Sequence, residues 1–254
     1  SLGYIVFADT AGGIPTLSGS AVFEGGALVP EAPPLEGTAV ANQITAYASS
    51  IIGIDRRQPT TVIYEDVSGA PIGYSFSQPD EEPTIGSATL NEAGSVAGII
   101  GWGRWAGGTT GGNYYQLGTA DLPVNGGWHV VSGEPASNLP TSGSATYALI
   151  GATDPTIRDG SLAPGSVTGS AAVAFGATPR VGVDLSVTIG GSTYGISTAG
   201  GAANPASGME VGTSGNANMT FQDYNLTATG TGPVCGGSGN CGAIFTGFLA
   251  GDGA

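Results

Sequence analysis

The stretch Val181-Gly-Val183-Asp-Leu185-Ser-Val187-Thr-Ile189-Gly190-Gly191 decides how the rest of the chain is read. Every odd position from 181 to 189 is aliphatic, and every even one is small or polar. A period of two belongs to a strand with one face in a core and the other in water. The Gly-Gly pair that follows is a two-residue hairpin turn, so Ser192–Thr198 is expected to return as the partner strand.

The same reading extends in both directions. Leu2–Ala8, Leu17–Phe23, Thr61–Glu65, Ser95–Trp105, Trp128–Ser132, Ala145–Ile150, Val167–Phe175, Met219–Thr227 and Ala243–Leu249 are further strand candidates, with Gly, Pro, Asn and Asp clustered between them. Many short strands joined by turn chemistry give a sandwich or a barrel. Ser166–Phe175 and Gly98–Gly103 interleave large residues with very small ones, which fits the tapering interior of a small closed barrel. Helix-like spacing is confined to Val40, Ile44, Tyr47 and Ile51 within Val40–Ile52, a stretch that also reads as a strand ending in a loop. Glu24–Gly37 is rich in Pro and Gly and reads as a linker or long loop. Gln78–Pro83, with Asp80, Glu81 and Glu82, reads as an exposed acidic turn.

Charge narrows the partners. Five Arg and no Lys stand against 19 acids, a net charge of −14, so the basic stripe that phosphate recognition requires is missing. Nucleic acid and anionic membrane surfaces are excluded on that ground. No run approaches the roughly 20 apolar residues of a membrane-spanning helix. No signal peptide is visible at Ser1, and any export signal is expected to have been removed or to lie outside this chain. The missing Lys, the abundance of Gly, Ser, Thr and Ala, and a pI near 4.1 point to an exported, surface-exposed protein.

One His and two Cys leave little for catalysis or metal binding. His129 is the sole candidate base, no oriented acid can be assigned to it, and a packing role is the better reading. Gly101-Trp-Gly103-Arg-Trp-Ala106 fits the loose dinucleotide pattern, but no helix follows it. Trp102 and Trp105 are expected to pack on opposite faces of a strand instead. Asp154 and Asp159 could face a calcium ion, yet Asp-Pro and Asp-Gly turns account for them better. Asn218 and Asn225 open glycosylation triplets, a pattern common by chance. Cys235 and Cys241 have the wrong spacing for a redox pair, and the small, flexible residues between them suit a disulfide that clamps the turn. No catalytic residue, metal or cofactor is assigned.

From Ser95 onward the chain resembles the β-barrel domain of transferrin-binding protein B-like surface proteins of Gram-negative bacteria, as found after FecR-type domains in alphaproteobacterial proteins. The residues that carry the resemblance are Trp102-Gly-Arg-Trp105, Leu139–Tyr147, Leu149–Pro155 and Phe245–Gly251. It implies an all-β fold, an antiparallel up-and-down barrel of about eight strands. Residues 95–254 form the barrel, and residues 24–94 form a companion handle sheet or long decorations. The family follows its last motif with a turn and one final strand. Here Gly251–Ala254 supplies the turn, while Ser1–Ala8 and Leu17–Phe23 look like the missing ending, as if the unit were circularly shifted. Residues 1–23 are therefore expected to complete the barrel.

In the N-terminal strand Leu2, Tyr4 and Val6 alternate with Gly3, Ile5 and Phe7, so both faces are largely apolar. Left alone it would expose unpaired backbone and apolar surface, and a barrel ending at Leu249 would have an open edge. The defects cancel if Leu2–Ala8 pairs antiparallel with Ala243–Leu249. Leu2, Tyr4, Ile5, Val6, Phe7, Ile244, Phe245 and Phe248 then form the interface, expected across a subunit boundary. The resulting expectation is a non-enzymatic extracellular or cell-surface protein that self-assembles head to tail by strand complementation. The alternative that the resemblance implies is a surface module capturing a host protein, haem or a metal carrier for a receptor, with Tyr114, Tyr115 and Trp128 among its contacts.

Overall fold

The period-two pattern becomes strands throughout the computed structural model, which describes residues 2–11, 14–24, 38–41, 44–49, 53–57, 61–64, 69–75, 82–96, 99–113, 118–212, 219–230 and 240–251. In chain order the strands are β1 (Leu2–Ala11), β2 (Ile14–Glu24), β3 (Thr38–Ala41), β4 (Ile44–Ser49), β5 (Gly53–Arg57), β6 (Thr61–Tyr64) and β7 (Pro71–Ser75). Next come β8 (Thr89–Val96), β9 (Ile100–Ala106), β10 (Gly108–Thr109), β11 (Asp121–Leu122), β12 (Trp128–Gly133) and β13 (Gly143–Ile157). The last are β14 (Ser166–Phe175), β15 (Arg180–Ile189), β16 (Ser192–Ser197), β17 (Met209–Glu210), β18 (Thr220–Thr229) and β19 (Asn240–Ala250). The helix-like spacing in Val40–Ile52 gives β3 and β4 instead of a helix, and Ile44, Ala46 and Ala48 fall on one face of β4. No helix among the described residues is long and apolar enough to cross a membrane.

Eight strands close into an antiparallel ring. Its order is β13-β2-β1-β19-β18-β16-β15-β14, and β14 pairs back onto β13. From β13 to β19 the chain meanders up and down, and the β1–β2 hairpin fills the remaining gap. Val181, Val183, Leu185, Val187 and Ile189 all face the barrel core with Tyr194 and Ile196 of β16. Gly190 and Gly191 both have positive φ, 57° and 77°, which is the backbone that a tight hairpin turn of this hand requires.

A five-stranded sheet, β5-β4-β12-β9-β8, packs on the outer wall of the barrel. The core between them joins Val22 of β2 and Phe248 and Ala250 of β19 to Ile44, Ala46 and Ala48 of β4, Ile100 and Trp102 of β9, and Val131 of β12. The far face of the sheet holds Tyr47, Trp105, Trp128 and Val130, which pack with Tyr74 of β7 and with Leu122. β7 belongs to a three-stranded sheet, β3-β6-β7, so the five-stranded sheet is covered on both sides.

This corrects the expected extent of the barrel. Within residues 95–254, Ser95–Trp105 and Trp128–Ser132 do not contribute staves, because β8, β9 and β12 lie in the five-stranded sheet. β9 and β12 are buried at every position, as strands inside a three-layer stack must be. The expected opposition of Trp102 and Trp105 is found: one faces the barrel and the other the aromatic cluster.

Trp102 keys the two layers together. A Cβ on Gly94 of β8 would lie 2.3 Å from the indole, and one on Gly151 of β13 would lie 2.1 Å from it. The ring thus occupies a slot that two glycines leave open, one in each layer. Gly151→Val is expected to cost about 1–3 kcal/mol through overpacking, read as a lower denaturant midpoint with an unchanged slope.

Candidate functional site

The candidate site is the slot filled by the β1–β2 hairpin and the polar seam behind it. β1 pairs antiparallel with β19 from Leu2↔Ala250 to Asp9↔Ala243, with Tyr4 opposite Phe248, Val6 opposite Thr246 and Phe7 opposite Phe245. Leu2, Tyr4, Ile5, Val6 and Phe7 therefore take ladder positions beside Ile244, Phe245 and Phe248, as the sequence suggests. Phe245 points into the barrel core and Phe248 into the core under the five-stranded sheet. In the structure this pairing is made within one chain. The hairpin delivers β1 to its own barrel because β2 pairs with β1 on one side and β13 on the other.

β2 is buried on both faces. Leu17, Ala21 and Phe23 enter the barrel core, while Val22 enters the core under the five-stranded sheet. Ser18 and Ser20 are buried as well. Buried hydroxyls need partners. The Ser20 N–H donates to Thr153 Oγ1 at 3.1 Å, and the Ser20 and Thr153 hydroxyls lie 2.6 Å apart.

Two irregularities in β13 create this arrangement. Its register against β2 shifts between Leu149 and Gly151, and again between Thr153 and Thr156. The second shift spans Asp154-Pro155, and proline within a strand belongs at such a bulge. A residue pair three apart would ordinarily face opposite ways. The bulge puts Thr153 and Thr156 on one side, opposite Ser20 and Ser18 respectively, where both reach His129.

His129 is fully buried on β12. Its Nδ1 lies 2.8 Å from Thr153 Oγ1 and its Nε2 2.8 Å from Thr156 Oγ1. Burial, and then the Arg104 guanidinium, lower its pKa to about 3. A neutral imidazole suits both contacts in either tautomer, because each hydroxyl can donate or accept. With both nitrogens occupied, His129 acts as a cross-link between layers. Arg104 sits beside it in the ladder and donates from Nε to Glu92 Oε1 at 2.8 Å, with a second bond from Nη2 to the same oxygen. Arg104 Nη1 also donates to the Gly126 carbonyl at 2.7 Å. Glu92 Oε2 accepts the Asp154 N–H at 2.8 Å, which ties the sheet edge to the bulge.

The other singled-out residues fall elsewhere. Gly101–Ala106 lies inside β9, not at a strand-to-helix turn. The Asp159 carboxylate accepts from the Ser161 hydroxyl and, at 2.9 Å, from the Ser161 N–H in a local turn, and these hydrogen bonds hold its pKa below the usual range. No group of three or more metal-ligating side chains occurs among the described residues. Trp128 is not a loop contact: it is fully buried and stacks on Trp105 at 5.7 Å. Tyr114, Tyr115, Asp80, Glu81 and Asn218 lie outside the described residues. Asn225 is exposed on β18.

Cys241 packs against the barrel core from β19, and no free thiol occurs among the described residues. Cys235 lies outside them. The Cys235–Cys241 bond is expected to appear as a native protein that resists alkylation until a reductant is added. Two alkylated thiols without reductant would refute it.

The seam itself was missed by sequence reading. Its one local signal is Asp154-Pro155 within a strand-like stretch, since the partners of His129 are 24 and 27 residues away. No family model, curated protein or solved structure matches the chain.

Proposed function

We propose that this chain is a non-enzymatic structural subunit of an extracellular or bacterial cell-surface assembly, built by exchange of the β1–β2 hairpin between copies. The observation that carries the reading is the hairpin's position. It supplies two of the eight staves and meets the rest of the barrel through two ladders, β1 with β19 and β2 with β13. A hairpin from a second copy would make the same contacts, so cis and exchanged forms differ little in contact energy. The balance is then set by concentration and by the connecting segment. Residues 25–37, Pro- and Gly-rich, span at most about 45 Å when extended.

The outer wall supports an aqueous setting. Thr168, Ser170, Thr188, Thr193, Thr227 and Thr229 are exposed there, where a membrane barrel carries an apolar band. Burial of Trp128 weakens the alternative of a ligand-capturing module, for which it was a candidate contact.

The test compares the chain with a permuted version in which Ala254 is joined to Ser1 and the chain is opened within residues 25–37. The hairpin then follows β19 covalently. Light scattering and negative-stain microscopy are expected to find head-to-tail oligomers of the original chain at high concentration and monomers of the permuted one. Identical monomers from both at every concentration would end the reading.

A further inference from the structure

The polar seam connects the hairpin to the one histidine of the chain. One ladder row across the five-stranded sheet runs Glu92, Arg104, His129, Ala48, Ile54. Against it, β13 presents Thr153, Asp154 and Thr156, and β2 presents Ser18 and Ser20. The hydroxyl of Thr153 is shared between His129 and Ser20, so β12, β13 and β2 meet at one oxygen.

We propose that this seam is a proton-sensitive latch on the β1–β2 hairpin, in which neutral His129 holds β13 and, through Thr153, β2, and its protonation favours the opened hairpin. The proposal rests on the hairpin-exchange reading and names its regulation. Among the described residues, the charged groups facing His129 are few. Arg104 of β9 repels an imidazolium, Glu92 of β8 is engaged by Arg104, and Asp154 of β13 is turned to Glu92 through its backbone N–H. β2 offers two serines, and the neighbouring row positions on β4 and β5 are Ala48 and Ile54. An imidazolium formed in the closed seam would have no carboxylate of its own among the described residues.

The sign follows from linkage. His129 is neutral in the closed state down to about pH 3, whereas released into water it takes a proton near its ordinary 6.5. The open state therefore binds more protons between these values, so closure is fully stabilised above pH 6.5 and weakens as pH falls toward 3. Asp154 acts in the opposite sense. Burial and Glu92 raise its pKa against the opposing pull of Arg104, so acid favours its closed form, though it is largely solvated. Between pH 7 and pH 4.5 the His129 contribution raises the opened fraction roughly 75-fold.

Hydrogen–deuterium exchange at pD 7 and 4.5, corrected for intrinsic rates, reads the opening in the full chain. The β2 and β12 amides are expected to gain roughly 75-fold in opening while those of the β15–β16 hairpin do not change. The His129→Gln variant is expected to lose most of the difference. Because the chain has one His, its ring resonance reports on the same site in unmodified protein and is expected to stay neutral at pH 4.5. Equal β2 opening at both pD values, a uniform rise over the whole barrel, or titration of the native ring near pH 6.5 would overturn the latch. Light scattering under the same conditions separates the two ideas. Opening of β2 without assembly leaves the latch standing and removes hairpin exchange. Assembly without a change in β2 opening does the reverse.

Discussion

Deletion of residues 1–24 is expected to lower the temperature of the protein's cooperative thermal transition sharply, and adding the peptide 1–24 in trans is expected to restore it. The deletion removes two neighbouring staves and leaves β13 and β19 with unpaired edges. It also removes Leu17, Val22 and Phe23, each fully or almost fully buried. At about 1.5–3 kcal/mol per side chain, those three alone approach the 5–15 kcal/mol that holds a typical domain together. Recovery by peptide follows because the slot is defined by strands that fold from the rest of the chain. A truncated protein that melts cooperatively near the native temperature would show that the barrel does not depend on its hairpin.

Trp105→Ala is expected to cost about 3–5 kcal/mol, measured as a fall in denaturant midpoint. Trp105 is fully buried between Trp128, 5.7 Å away, and Tyr74, 6.3 Å away. Its Nε1–H donates to the Pro71 carbonyl at 2.9 Å. The substitution therefore opens a cavity in the aromatic cluster and also strips a donor from β7. Tyr47 stacks on Tyr74 at 5.8 Å and meets Trp128 at 5.7 Å, so the remaining rings brace one another and collapse poorly into the space. A loss under 1 kcal/mol would mean that the three-stranded sheet contributes little to the hold on the five-stranded one.

Val181–Ile189 announced both its strand and its inward face, because half its surface meets water and alternation survives in the residues. The pairing of Leu2–Ala8 with Ala243–Leu249 was legible for a related reason: two segments each lacked a neighbour. β9 and β12 were misplaced because a strand buried on both faces has no polar alternation to locate its partner layer. Ile100-Gly-Trp-Gly-Arg-Trp-Ala106 carries the hint in hindsight, with bulky groups on both faces and glycines where rings must pass. The His129 cross-link was beyond reach for another reason. Its geometry depends on the phase of β13, and two bulges reset that phase between Leu149 and Thr156. Asp154-Pro155 marks where one shift occurs but not which hydroxyls it turns toward the sheet.

The register of β1 on β19 also bears on how the molecule would carry a load. Leu2 faces Ala250, so the two ends of the described chain emerge side by side at one end of an antiparallel ladder. Tension applied to those ends peels β1 away rung by rung, each bond failing singly. Tension along the strands would instead strain all eight register pairs from Leu2 to Asp9 together. The closed barrel is therefore a zipper when pulled at Leu2 and Ala250, whereas a load along the strands meets the whole ladder at once.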